Sequence, residues 1–253
     1  MPGMKAMGNK DRRTLNGTVR CAPLLLLVAL VMVTYSVDDY SFLQNGIAGS
    51  NTTFKLLVSA GRPTNAWFLD AGFAAAGSIE GLAVLRLVTL LGISMLGCTL
   101  YLFSRRHGLS RVASASIAAG VALLPSFQVY AVWAQHFTTP FAGVLAVMAA
   151  YVLSPIRTAD GRVGLRPFVL ATLLLTAAVL TYQPTGMLFC TALLIALLSS
   201  SEPLQRWTGR ALLTVATSFA LALMFGYIAL KIGQGLLRNS PPVMVCYPTL
   251  LES

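Results

Sequence analysis

The stretch LAVLRLVTLLGISMLGCTLYLF, residues 82–103, decides the fold of this chain. It contains one charged residue, Arg86. As an α-helix it would be about 33 Å long, at 1.5 Å per residue. That length crosses a hydrocarbon core of about 30 Å. The stretch therefore predicts a transmembrane helix, and the same pattern can be sought in the rest of the chain.

Low-charge apolar runs of this kind recur along the 253 residues. The other six are residues 21–37, 112–132, 137–153, 167–182, 186–200 and 211–230. Only 10% of the residues are charged, whereas a soluble domain has about 25%. The sequence thus predicts an all-α, polytopic transmembrane bundle of about seven spans. Its parts are a basic tail (1–20), a transmembrane region (21–232) and a short outer tail (233–253).

The first run has an alternative interpretation as a signal peptide, because Thr34 and Ser36 are small residues at a plausible cleavage spacing. We favour an uncleaved helix, since the rest of the chain is equally apolar and needs no such signal. The outer loop that follows, residues 38–80, mixes polar, aromatic and apolar residues. This mixture predicts short interfacial helices that lie on the membrane surface.

The distribution of basic residues predicts the orientation, because Lys and Arg concentrate in cytoplasmic loops. With the N-terminus inside, thirteen of the 18 basic residues fall in cytoplasmic segments, four lie outside, and Arg86 lies within a span. We therefore expect a cytoplasmic N-terminus. The net charge of +10 then reflects topology and does not indicate nucleic-acid binding. The acids Asp38, Asp39, Asp70 and Glu80 all fall in the first outer loop.

Asp38 and Asp39 are the strongest candidates for catalysis. Two adjacent carboxylates at a lipid boundary repel each other and are partly desolvated, which suits a general base. The alternative is that a helix simply ends in acidic residues on the outer side.

Five further residues are candidates for substrate binding. Arg62 offers a planar fork that suits a phosphate, or it belongs to a solvated turn. Arg86 is costly in lipid and should face a cavity, the protein or a headgroup. His136, Tyr182 and Gln183 fall in later outer loops, where a histidine or a tyrosine is also common as an interface residue.

Several other classes of site lack support in the sequence. The four cysteines stand singly, at Cys21, Cys98, Cys190 and Cys246, which is typical of small core residues. No phosphate-binding loop, dinucleotide motif, zinc-protease motif or nucleophile elbow is present. No metal ligands and no firm cofactor are predicted, although a divalent metal stays open.

Taken together, the motifs resemble a known family, the serotype-converting glucosyl transferases of O-antigen modification. These are GT-C class membrane glycosyltransferases. The resemblance covers roughly residues 20–230. It depends on Val37-Asp38-Asp39-Tyr40, Gly61-Arg62-Pro63, Leu85-Arg86-Leu87 and Tyr182-Gln183-Pro184.

The resemblance implies transfer of a sugar, glucose in that family, at the outer face of the bacterial inner membrane. The donor would be a polyprenyl-phosphate-linked sugar, and the acceptor a cell-surface glycan of lipopolysaccharide such as O-antigen or a lipid-linked glycan. Asp38 or Asp39 would act as base or orient the acceptor, and Arg62 would bind the donor phosphate.

Members of that family are about twice as long, so we expect this chain to be truncated at its C-terminus, with an aberrant tail after Asn239. Two alternatives therefore stay open. One is a transporter or lipid-carrier flippase subunit, and the other is an inactive remnant that inserts into the membrane.

Overall fold

The computed structural model describes residues 37–154, 164–199 and 209–238. Within these ranges the chain consists of helices and connecting turns and contains no strand. The prediction of an all-α fold is confirmed. The basic tail 1–20, the first predicted span up to residue 36 with Thr34 and Ser36, and the tail beyond residue 238 lie outside the described residues.

Three short helices form the segment that was predicted to be an outer loop with helices. They are α1 (Val37–Ile47), α2 (Thr52–Ser59) and α3 (Pro63–Ala76). Helix α3 begins with Pro63, whose ring already has a helical φ and whose missing N–H is not needed at a helix start. The segment 38–80 is therefore helical for most of its length.

The longer helices begin with α4, Ile79–Arg106. The hydroxyl of Ser78 caps it by accepting from the backbone N–H of Gly81 at 3.2 Å. The following helices are α5 (Arg111–Ala122), α6 (Pro125–Val132), a 3₁₀ helix (Ala134–His136), α7 (Thr139–Leu153), α8 (Leu165–Thr181), α9 (Gln183–Gly186), α10 (Leu188–Leu198) and α11 (Gly209–Arg238). Helix α11 continues into the segment 233–253 that the sequence predicted as a tail.

Three helical segments are long and apolar enough to cross a membrane: Ile79–Arg106, Ala134–Leu153 and Leu213–Gly235. A fourth is reached if α5 and α6, which meet at a bend of 53°, count as one span. The count of seven spans is not supported among the described residues. Pro125 starts a new helix inside the run 112–132, and the apolar helices Leu165–Thr181 and Gln183–Leu198 are shorter than the other three.

Two apolar clusters hold the described helices together. The larger contains Leu96 and Leu100 of α4, Val147 of α7, Leu175 of α8 and Phe189 of α10, all essentially without exposed surface. Its alanines, such as Ala146 and Ala150, allow the helix backbones to approach closely.

The smaller cluster joins the helices of segment 38–80 to the long helices. It contains Leu43 of α1, Phe73 of α3, Leu82 and Leu85 of α4, and Phe137 after the 3₁₀ helix. Helices α1 and α3 pack on α4, and α1 also packs on the 3₁₀ helix, whereas α2 packs on α3 and α11. This packing positions the residues of the candidate site.

Candidate functional site

Asp39 is fully buried in the first turn of α1, and its carboxylate accepts three hydrogen bonds. Its Oδ2 accepts from Arg86 Nη2 at 3.3 Å and from the backbone N–H of Ala134 at 3.2 Å. Its Oδ1 accepts from the backbone N–H of Gln135 at 3.3 Å. The charge is therefore balanced by Arg86 and by the amides that begin the 3₁₀ helix.

Asp38 lies beside Asp39 in the chain, but its side chain is exposed. Successive helical residues point about 100° apart, so the two carboxylates meet different surroundings. From the sequence, the two are expected to differ, because adjacent residues point in different directions: one would act as base, with Asp38 favoured, and the other would hold a neighbouring Arg, a loop amide or a metal. Of the two, only Asp38 has an exposed carboxylate. Both oxygens of Asp39 accept hydrogen bonds from N–H donors.

Arg62 is held by two contacts with residues that follow α8. Its Nε donates to Gln183 Oε1 at 3.1 Å, and its guanidinium carbon lies 4.6 Å from the centre of the Tyr182 ring. Gln183 Nε2 donates in turn to the carbonyl of Gly61 at 3.4 Å. Within the part of the chain that the structure describes, Nη1 and Nη2 of Arg62 make no hydrogen bond.

The turn before Arg62 is positioned by α11. Gly61 has a φ of 77°, a left-handed conformation that favours glycine, and a Cβ there would lie 3.1 Å from Leu230. One turn further along α11, Gly233 lies under the end of α2, where an added Cβ would be 2.6 Å from the carbonyl oxygen of Val58. Close contact between the α2–α3 turn and α11 therefore depends on these two glycines.

His136 ends the 3₁₀ helix and is surrounded by aromatic rings. Its ring centre lies 4.8 Å from that of Tyr130 and 5.9 Å from that of Tyr182. Trp133 stacks nearly parallel to it, at 5.8 Å and 17°. Its Nδ1 is 3.3 Å from Thr139 Oγ1, an interaction whose donor depends on the tautomer.

Apart from the exposed Asp38, the sequence-predicted residues fall into two groups that the 3₁₀ helix connects. Arg62, His136, Tyr182 and Gln183 form one, which we call the Arg62 cluster. Asp39 and Arg86 form the other, at the opposite end of the same helix. Of the other acids in the segment 38–80, Glu80 is exposed at the start of α4, and Asp70 is half-buried on α3.

The sequence analysis missed Tyr130 and Trp133 as members of the Arg62 cluster. Trp133 lies three residues before His136, and an aromatic pair at that spacing was visible in the sequence. Tyr130 gave no such indication, because its contact with Tyr182 joins residues 52 positions apart. The described residues contain no group of three or more His, Cys, Asp or Glu side chains that could hold a metal ion.

Comparison with known proteins adds no relative. No family model matches the chain, and no curated protein and no solved structure matches it. The class is therefore defined by the fold alone: an all-helical protein with three or four apolar helices that are long enough to cross a membrane.

Proposed function

We propose that this chain is a multi-pass membrane glycosyltransferase of the GT-C type. It moves a sugar, glucose by resemblance, from a polyprenyl-phosphate donor to a cell-surface glycan such as O-antigen. The observation that supports the proposal most directly is the presentation of Arg62. Its Nε and its planar face are occupied by Gln183 and Tyr182, and its two terminal nitrogens are left for a ligand.

A guanidinium held in this way suits an anionic oxygen. The contacts with Gln183 and Tyr182 restrict the long side chain before a ligand arrives, so less conformational entropy is lost on binding. The two terminal nitrogens can donate to two oxygens of one phosphate. In sugar transfer the phosphate leaves as negative charge develops on it, and a positioned cation stabilises that charge.

The exposed carboxylate of Asp38 supports the same function. A base must reach an acceptor hydroxyl, and a buried carboxylate that already accepts three hydrogen bonds cannot do so without breaking them. Asp38 is the neighbour of Asp39, which bonds to the 3₁₀ helix that ends in His136. The segment that carries the proposed base, Asp38, and the residues around the proposed phosphate ligand, Arg62, therefore both contact the 3₁₀ helix.

Replacing Arg62 with lysine tests the function. Lysine keeps the charge but not the fork, so transfer of labelled sugar from polyprenyl phosphate in membranes should fall by about ten-fold at low donor concentration. Arg105→Lys, at an exposed arginine near the end of α4, is the matched control and should retain transfer. Full transfer by Arg62→Lys would remove the phosphate role. If wild-type membranes carry the polyprenyl-phosphate-linked sugar across the bilayer and form no glycan product, the flippase alternative is favoured.

The seven spans and the cytoplasmic N-terminus belong to the same proposal. In a variant without the four native cysteines, a single cysteine at the exposed Asn51 should react with an impermeant thiol reagent in intact cells. A cysteine at Ser110, exposed between α4 and α5, should react only after permeabilisation. Labelling of the Ser110 site in intact cells would overturn the orientation.

A further inference from the structure

The carboxylate of Asp39 is the least exposed charged group among the described residues, with no accessible surface. Each of its oxygens accepts from the start of the 3₁₀ helix, and Oδ2 also accepts from Arg86. The three donors come from residues 47, 95 and 96 positions further along the chain. Asp39 therefore joins α1, α4 and the 3₁₀ helix at one point.

The 3₁₀ helix has little internal support. Its own hydrogen bonds are His136 N–H to the carbonyl of Trp133 at 3.0 Å and Phe137 N–H to that of Ala134 at 3.2 Å. The first N–H groups of any helix lack partners within the helix. Here Ala134 and Gln135 donate theirs to Asp39. The path of these three residues consequently depends on an external carboxylate.

The far end of this helix contributes to the Arg62 cluster. His136 contacts Tyr182, and the guanidinium of Arg62 lies over the Tyr182 ring. A continuous series of contacts thus runs from Asp39 through the 3₁₀ helix and His136 to Tyr182 and Arg62. A shift of the 3₁₀ helix would change the contact between the His136 and Tyr182 rings, and the guanidinium of Arg62 lies over the Tyr182 ring.

We propose that Asp39 is a positioning residue for the donor site. Its carboxylate fixes the 3₁₀ helix, and the helix sets His136 against Tyr182 beside Arg62. The inference rests on the proposed function. It assigns Asp39 to the geometry of donor binding and leaves proton transfer to Asp38.

Asparagine at position 39 is an informative change because it keeps the shape of the side chain. Both oxygens of Asp39 accept from N–H donors, so either orientation of the amide would place its NH₂ against a donor. At least one contact with the 3₁₀ helix or with Arg86 must then break. The same substitution at Asp38 removes a neighbouring charge at an exposed position and leaves the carboxylate of Asp39 in place.

The first measurement needs no activity. With Trp67 and Trp207 replaced by phenylalanine, Trp133 is the remaining tryptophan, and its stacking on His136 makes its fluorescence a reporter of the 3₁₀ helix. In purified protein, Asp39→Asn should increase the quenching of Trp133 by acrylamide at least two-fold. Asp38→Asn should leave it unchanged. Equal quenching in wild type and Asp39→Asn would overturn the positioning role.

The second measurement is transfer kinetics with polyprenyl-phosphate-linked glucose. Asp39→Asn should raise the KM for the donor by about ten-fold with a smaller change in kcat, and Asp38→Asn should mainly lower kcat. Asp39→Glu keeps the charge and should recover part of the donor KM. It serves as the test variant if Asp39→Asn does not accumulate in the membrane. A lowered kcat with an unchanged donor KM in the Asp39 variants would assign Asp39 to chemistry.

The two measurements separate the failures. If wild-type protein forms no glycan product while Asp39→Asn still exposes Trp133, the proposed function fails and the contact between Asp39 and the 3₁₀ helix stands. If transfer proceeds and Asp39→Asn alters neither Trp133 nor the donor KM, the proposed function stands and the inference fails.

Discussion

Asp38→Asn should lower sugar transfer by about 10²–10⁴-fold, the contribution typical of a general base. The acceptor hydroxyl holds its proton at neutral pH, so its attack on the anomeric carbon needs a group that takes the proton as the bond forms. Asparagine has nearly the same size as aspartate and no basicity. Because Asp38 is exposed, its replacement disturbs little packing, and the protein should reach the membrane in normal amounts.

The measurement is transfer of labelled sugar from polyprenyl phosphate in membranes, normalised to the protein level on a blot. Asp70→Asn is the matched control, since Asp70 is an acidic residue of the same segment that lies on α3. It should retain transfer. Near-native rates in both Asp38→Asn and Asp39→Asn, with normal insertion, would mean that the pair is only a helix end and that the proposed mechanism is wrong.

Arg86→Met should destabilise the protein by about 3–5 kcal/mol, because it leaves the charge of Asp39 buried without its ionic partner. Arg86 Nη2 lies 3.3 Å from Asp39 Oδ2, and both side chains are nearly inaccessible. Methionine is shorter than arginine, but its flexible unbranched side chain can occupy the space of the arginine stem. The loss therefore reports the uncompensated charge more than a cavity.

Stability can be measured as the free energy of unfolding, from a reversible denaturant titration of the purified protein in mixed micelles. Arg105→Met, at an exposed position of the same helix, is the control and should cost no more than about 1 kcal/mol, since it removes only an exposed hydrogen bond to the carbonyl of Leu109. The double variant Asp39→Asn/Arg86→Met should lose less than the two single variants combined, since it removes both charges. Additive losses would show that Asp39 and Arg86 do not depend on each other.

The apolar runs of the sequence correspond to helices wherever the structure describes them. The run 82–103 lies within α4, and the run 211–230 lies within α11. The run 137–153 covers α7 and the two residues before it. A long apolar run with few charges forms a helix because its backbone groups can bond within the segment. The same runs did not predict where a helix breaks. The run 112–132 divides at Pro125 with a bend of 53°.

The candidate residues could be named from the sequence because their chemistry is local. Adjacent acids, an arginine before a proline and a lone histidine each suggest a role from residue type and position. Their partners could not be named. The pairing of Asp39 with Arg86, and of Arg62 with Gln183 and Tyr182, joins residues separated by 47 to 121 positions.

The sequence by itself determined the helical class and the apolar character of the long helices, because these depend on composition and on neighbours along the chain. The tertiary structure alone decided which carboxylate is buried. Asp38 and Asp39 are identical in type and adjacent, yet packing of α1 against α4 and the 3₁₀ helix surrounds Asp39 with three N–H donors and leaves Asp38 exposed. A buried charge is tolerated only where such donors meet it, and their meeting depends on how distant segments pack.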